Sequence, residues 1–116
     1  MKTSKKPADP TIAIPTGLSR KGREAATLIL RHMKANGFES TGGCRLFYSP
    51  KEWEERGEPY GQGGLLVVVY DGGDARPFFE GYETRWAYSE PLREALAKIG
   101  VYTEAGTHWH STVYEG

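Results

Sequence analysis

The first regular feature of the chain is an apolar stripe with helical spacing between residues 18 and 33. Its members recur every three or four positions or close to it, as on one buried helix face: Leu18, Ala25, Leu28, Ile29, His32 and Met33. Ser19 stands at the position of an N-cap, because its hydroxyl can accept a hydrogen bond from an N–H group of the first turn. Gly37 tolerates the positive φ that often ends a helix. The pattern predicts a helix over residues 19–36.

A capping signal marks a second, shorter helix. Ser49 can cap it, Pro50 fits its first position, and Glu52 can reach back to complete a capping box. Gly57 predicts the end of this helix, and Trp53 is its expected anchor in the core.

Apolar runs on either side of this helix predict strands. Residues 44–48 form a short strand, and residues 65–70 are apolar at every position, which indicates a central strand covered on both faces. Residues 71–74 hold two glycines and predict a tight turn. Residues 76–79 are then expected to return antiparallel. Pro77 places them at a sheet edge, because proline cannot donate a ladder hydrogen bond.

The last third of the chain predicts a helix followed by a β-hairpin. The helix covers about residues 89–99 and has Pro91 in its first turn. The hairpin has strands at 101–104 and 108–114, joined by a turn at 105–107.

These elements define a predicted core and fold class. In the last strand Trp109, Ser111 and Val113 face one way, and His108, His110, Thr112 and Tyr114 face the other. The predicted core contains Leu28, Ile29, Met33, Leu46, Trp53, Leu66, Val68, Leu92, Leu96, Ile99, Trp109 and Val113.

We predict an α+β fold, with an antiparallel or mixed sheet of four to five strands and two to three helices packed mainly on one face. Residues 18–116 form this single domain, and the proline-containing residues 1–17 form a flexible N-terminal arm.

Composition narrows the class of protein. The chain has 116 residues, of which 38% are hydrophobic and 26% charged, enough for one modest core. Fifteen basic residues balance fifteen acidic ones, which argues against a globally basic nucleic-acid binder. The single cysteine, Cys44, excludes an intramolecular disulfide framework and a cysteine-based zinc site. Without an apolar run of membrane-spanning length, the chain is expected to be cytoplasmic and to have no membrane partner.

His108 and His110 are the weak candidates for a metal site. In a strand, two histidines two residues apart share a face and can reach one ion. A third ligand would have to come from elsewhere in the chain, and no spacing in the sequence requires one. Asp71 and Asp74 are better explained by the turn that they bracket. A metal-dependent enzyme is therefore the third hypothesis, and the sequence predicts no cofactor and no catalytic residue.

A cluster of aromatic residues points to protein binding. Tyr82, Arg85, Trp86 and Tyr88 lie in a segment without a clear period, and these residue types anchor protein interfaces. The first hypothesis is a non-enzymatic protein-binding factor that engages another protein or self-associates. The alternative, in which these side chains fill the core, stays open.

The basic residues of the N-terminal segment support a second hypothesis. Residues 1–24 hold six basic residues against two acidic ones. Side chains of this charge can contact phosphates, which predicts nucleic-acid binding through the following residues: Lys5, Lys6, Arg20, Lys21 and Arg23.

Two motifs resemble a family of small bacteriophage and prophage proteins, of the type found in phages of actinobacteria. They are the run FYSPKEW at residues 47–53 and the run VVVYDGGD at residues 67–74. The resemblance extends over most of the chain from about Thr16. It implies an accessory protein that acts on a host or phage protein in the host cytoplasm, and it assigns no catalytic residue.

Overall fold

The computed structural model describes residues 12–37, 45–71, 75–79, 86–107 and 109–116. Within these ranges the elements follow in the order α1 (Arg20–Ala35), β1 (Phe47–Tyr48), α2 (Pro50–Arg56), β2 (Leu66–Val69), α3 (Arg76–Phe79), α4 (Trp86–Lys98), β3 (Val101–Thr107) and β4 (His110–Glu115). The helices and one antiparallel sheet form a single small α+β domain, as the sequence predicted. Within the described ranges, no helix combines the length and the apolar character needed to cross a membrane.

The sheet has the strand order β1-β2-β4-β3, and each neighbouring pair is antiparallel. β2 lies inside the sheet, where Val68 is opposite Phe47 of β1 on one side and Ser111 of β4 on the other. All four residues of β2 are buried. Since β-branched side chains suit a strand covered on both faces, this confirms the predicted central strand.

The main core lies on one face of the sheet. Leu66 and Val68 of β2 point to this face, together with Val113 of β4. The helices contribute the following buried side chains to it: Ala25, Ala26, Ile29, Met33, Phe78, Leu92 and Leu96. Ile12, ahead of α1, lies half-buried against the same core. Removal of this apolar surface from water stabilises the domain by roughly 25 cal/mol per Å².

A smaller apolar cluster, which we call the second cluster, lies on the opposite face, around Trp53 of α2. Trp53 is buried against Val67 and Val69, the β2 residues that alternate with those of the main core. Tyr48 and Trp109 pack against it as half-buried neighbours. α2 therefore covers the face of the sheet that α1 and α4 leave open.

The predicted capping residues begin and end the first two helices. The Ser19 hydroxyl accepts a hydrogen bond of 3.1 Å from the Gly22 N–H at the start of α1. The Ser49 hydroxyl accepts one of 3.2 Å from the Glu52 N–H, and the Glu52 carboxylate accepts one of 2.9 Å from the Ser49 N–H. This is a complete capping box. Gly57 ends α2 with a left-handed φ of 81°.

The segment predicted as a returning strand is a short helix. Arg76–Phe79 forms α3, so the strand prediction for residues 76–79 was wrong. Pro77 lies in the first turn of this helix, where a missing N–H group leaves no helical bond unmade. The sequence signal was therefore a helix start rather than a sheet edge. Residues 72–74 of the predicted turn, and Cys44, lie outside the described residues.

α4 begins earlier than predicted. It starts at Trp86 rather than near residue 89, and Pro91 lies inside it rather than in its first turn. Proline removes one helical hydrogen bond, but the buried side chains Leu92 and Leu96 hold the following turns against the main core. Tertiary packing thus overrides the local helix-breaking signal.

The turn of the C-terminal hairpin also lies elsewhere than predicted. β3 continues to Thr107, which pairs with His110, and a register shift lies between Ala105 and Thr107. The Thr107 hydroxyl accepts a hydrogen bond of 3.3 Å from the Trp109 N–H and shares one of 2.8 Å with His110 Nδ1. Such side-chain bonds favour a turn after Thr107. The prediction of a turn at 105–107 was therefore wrong.

Three residues assigned to the core have different surroundings. Trp109 lies beside the hairpin turn, half-buried in the second cluster rather than next to Val113. Because the turn is displaced, Trp109 falls outside the strand alternation that was expected to direct it inward. Leu28 and Ile99 are only partly buried, at the margin of the main core.

Candidate functional site

The residues predicted to bind protein are only partly described by the structure. Tyr82 and Arg85 lie outside the described residues, and Trp86 is the first residue of α4. Tyr88 is half-buried against the main core, where its ring contacts that of Phe78 edge-on at 5.9 Å between centroids. A binding role for this segment stays a prediction.

The residues of the nucleic-acid hypothesis lie on α1 as far as they are described. Lys5 and Lys6 are outside the described residues. Lys21 forms an ion pair of 3.0 Å with Glu115, and the Arg23 guanidinium donates a hydrogen bond of 3.1 Å to the Leu18 carbonyl. Arg20, also named in this hypothesis, lies 3.9 Å from Glu24. Internal contacts therefore occupy part of the predicted phosphate-binding set.

The structure describes only one of the two histidines that are weak candidates for metal ligands. His108 lies outside the described residues. His110 was expected on an open face of the sheet, but it is 1% exposed. The loop after α2 covers it, since an added Cβ on Gly61 would lie 2.9 Å from His110 Nε2. Nowhere in the described ranges do three His, Cys, Asp or Glu side chains meet as they would around a metal ion.

The surface above the second cluster is the strongest candidate site. It is made of two arginines and three aromatic residues, which we call the arginine–aromatic face: Arg45, Tyr48, Arg56, Tyr60 and Trp109. β1, α2, the following loop and the β3–β4 turn each contribute to it. Trp53 and His110 lie directly beneath, fully buried.

Arg56 is the centre of this face. Its guanidinium carbon lies 5.3 Å from the ring centroids of Tyr48 and Trp53 and 5.8 Å from that of Trp109. It donates a hydrogen bond of 2.9 Å to the Tyr48 hydroxyl and forms an ion pair of 3.1 Å with Glu58. A guanidinium within about 6 Å of a ring centroid is attracted by the ring quadrupole, so these contacts help to hold Arg56 in place. Arg56 nevertheless keeps 41% of its side chain exposed.

Arg45 also lies against the Tyr48 ring, 4.5 Å from its centroid. It forms an ion pair of 2.6 Å with Glu52, the capping-box residue of α2. Burial works against ionisation of Glu52, but the hydrogen bonds from Arg45 and Ser49 and the charge of Arg45 outweigh it and lower the pKa of Glu52. Because each arginine has a glutamate beside it, the face carries no excess of positive charge.

The loop that carries Tyr60 is fixed to the second cluster by hydrogen bonds. Trp53 Nε1 donates one of 2.8 Å to the Tyr60 carbonyl, and the Thr112 hydroxyl donates one of 2.9 Å to the Gly61 carbonyl. Gly61 has a left-handed φ of 88°. The Tyr60 side chain, held by this backbone, is 60% exposed.

His110 supports the face from below. Its ring lies 4.9 Å from that of Trp53 and 4.6 Å from that of Trp109, between centroids. Its Nε2 is buried and has no hydrogen-bond partner among the described residues. Burial lowers the pKa of His110; the Glu58 carboxylate and the Tyr60 carbonyl act in the opposite direction, and the Arg56 charge adds to the lowering.

This face was not predicted from the sequence, although part of its signal was present. Trp53 and Arg56 are three residues apart on a short helix, so they share one side of it. Tyr48 lies on the strand just before that helix. The contribution of Trp109 had no sequence signal, because it depends on a hairpin turn that was placed incorrectly.

Comparison with protein-family models, with curated proteins and with solved structures returned no match for this chain. The resemblance to phage proteins is therefore still a hypothesis.

Proposed function

We propose that this protein is a non-enzymatic protein-binding factor, and that the arginine–aromatic face is its contact surface. The observation that carries the proposal is Arg56, which is fixed over three aromatic rings and still reaches solvent. Arginine, tyrosine and tryptophan dominate the hot spots of protein interfaces. A guanidinium already ordered by stacking loses less conformational freedom when a partner binds.

The charge balance of the face favours a protein partner over nucleic acid. Nucleic-acid binding draws its affinity from unpaired basic side chains against phosphates. Here Arg45 is paired with Glu52, and Arg56 with Glu58. If the resemblance to phage proteins holds, the partner is a host or phage protein in the bacterial cytoplasm. Alternatively, two copies of this protein bind each other through the same face.

The proposal is tested by partner capture from bacterial lysate, with quantitative mass spectrometry on the wild type and three variants. Tyr60→Ala and Arg56→Ala remove exposed groups of the face. Tyr102→Ala is the matched control, because Tyr102 is also an exposed tyrosine, at 43%, but lies at the far end of β3 from the hairpin turn. Light scattering on each variant measures self-association.

We expect both face variants to lose a specific partner or a dimer, and the control to keep it. Removal of a hot-spot residue costs at least about 2 kcal/mol of binding free energy. Melting curves must show that each variant is folded. Equal binding by all folded variants would show that this face is not the contact surface.

A further inference from the structure

A groove runs along the outer side of α1, on the other side of the sheet from the arginine–aromatic face. Its volume is about 420 Å³, and its apolar lining comes from Ile14, Leu28 and Ile99. Leu28 and Ile99 were both predicted as core residues and remain only partly buried. A groove of this size can hold several side chains of a binding partner.

Basic side chains border this groove and extend beyond it. Arg20, Arg23 and Arg31 line it together with Glu24, and Lys34 lines a second, adjoining groove that Arg31 also borders. The four basic residues are separated by three, eight and three positions, which are close to whole helical turns, so they share one side of α1. At about 1.5 Å per residue, the stripe from the first to the last of them is about 21 Å long. Four basic residues against one acidic residue leave it positively charged.

Among the described residues, internal contacts involve only two of these four cations. Arg23 donates to the Leu18 carbonyl at 3.1 Å, and Arg20 lies 3.9 Å from Glu24. Arg31 and Lys34 have no ion-pair partner within the described chain. The C-terminal half of α1 thus presents two cations next to an apolar groove.

We propose that this groove binds an acidic amphipathic helix of another protein. Leucine-type side chains of that helix would enter between Leu28 and Ile99, as apolar helix faces do in other hydrophobic grooves. Its flanking carboxylates would pair with Arg31, since guanidinium–carboxylate contacts are strong and directional, and with Lys34 at the end of the stripe. The site is separate from the arginine–aromatic face and does not require it.

Two other occupants fit the groove less well. Residues 1–11 of this chain carry Lys2, Lys5 and Lys6 against the single acid Asp9, so they share the charge of the stripe. Single-stranded nucleic acid binds through aromatic side chains on which its bases stack. None of the described residues that line the groove is aromatic. Charge and lining together favour an acidic, amphipathic protein segment.

The test uses a fluorescently labelled peptide of about 15 residues, four turns of helix, made of Glu, Leu and Ala with leucines every three or four positions. Three matched probes accompany it: the same composition with scattered leucines, a version with Lys for Glu, and a single-stranded oligothymidine. Fluorescence anisotropy measures the affinity of each. We expect the acidic amphipathic peptide to bind more tightly than all three control probes.

Two charge reversals assign the binding to α1. Arg31→Glu should weaken acidic-peptide binding by roughly tenfold or more and improve binding of the lysine peptide, because like charges at an interface are strongly unfavourable. Lys51→Glu, at an exposed position on α2, should change neither affinity. A preference for oligothymidine, equal binding of the scattered-leucine peptide, or no effect of Arg31→Glu would overturn the proposal. Arg56→Ala should leave peptide binding unchanged, so this result is independent of the partner-capture experiment.

Discussion

Trp53 donates a hydrogen bond of 2.8 Å from its indole Nε1 to the carbonyl of Tyr60. One side chain thereby anchors α2 to the sheet and also holds the loop that presents the most exposed aromatic residue of the arginine–aromatic face. The stability of the second cluster and the geometry of the candidate site are therefore linked through this bond.

Trp53→Phe should remove the indole hydrogen bond to Tyr60 together with part of the buried packing. Phenylalanine fills part of the buried space but cannot donate, so the Tyr60 carbonyl loses its partner and the packing is incomplete. We expect a loss of about 2–4 kcal/mol in the free energy of unfolding, measured by chemical denaturation. Trp109→Phe is the matched control and should cost less, because Trp109 is only half-buried. Equal losses would contradict the anchoring role of Trp53, because neither its deeper burial nor its bond to Tyr60 would then add to stability.

A pair of glycines in the same loop tests how tightly it is packed. Gly61 and Gly63 both have left-handed φ angles, 88° and 84°. A Cβ on Gly61 would lie 2.6 Å from the Thr112 hydroxyl oxygen and 2.9 Å from His110 Nε2, whereas one on Gly63 would meet nothing within 4 Å. Gly63→Ala should therefore cost only about 1 kcal/mol of backbone strain. Gly61→Ala should cost a further 1–3 kcal/mol or so for overpacking.

Thermal and urea denaturation of the two variants side by side makes this comparison. Because the backbone strain is common to both glycines, the difference between the variants reports the packing alone. If the two substitutions cost the same, the loop does not rest on Thr112 and His110.

The sequence predicted those elements whose signals are local. Ser49, Glu52 and Gly57 define α2 within a few residues, and the apolar run at 65–70 identified the central strand. α3 could not be predicted as a helix, because Pro77 suits a helix start as well as a sheet edge. The early start of α4 depends on packing against the main core, which no local signal contains.

The candidate site was harder to predict because it depends on long-range placement. Arg56 and Trp109 meet only because β4 pairs with β2 and the hairpin turns after Thr107. Alternation along a strand directed Trp109 to the main core, but a residue in a turn does not follow that alternation. The sequence placed the aromatic surface at residues 80–88, and only part of that segment lies in the described chain.

The capping box of α2 should make a measurable contribution to stability. Ser49 is buried, and Ser49→Ala removes the acceptor for the Glu52 N–H, which should cost about 0.5–2 kcal/mol. Glu52→Gln keeps an acceptor for the Ser49 N–H but removes the ion pair with Arg45. It should cost less, because exposed ion pairs contribute little. An unchanged denaturation midpoint for Ser49→Ala would refute the role of the cap.

The last prediction concerns pH. Burial lowers the pKa of His110 below its ordinary value of 6.5, so the unfolded chain binds a proton at a pH where the folded chain does not. The contribution of His110 to the free energy of unfolding is therefore fully present above that value and is lost as the pH falls through 6.5 towards the lowered pKa. Glu58 raises the pKa of His110 and Arg56 lowers it.

Urea denaturation between about pH 7.5 and 5 should show the wild type losing stability in this window. His110→Phe keeps an aromatic ring between Trp53 and Trp109 but cannot be protonated, and its stability should fall less over the same range. Identical pH profiles for the two proteins would show that the imidazole is readily protonated in the folded state, and that its burial beneath the arginine–aromatic face has no energetic cost.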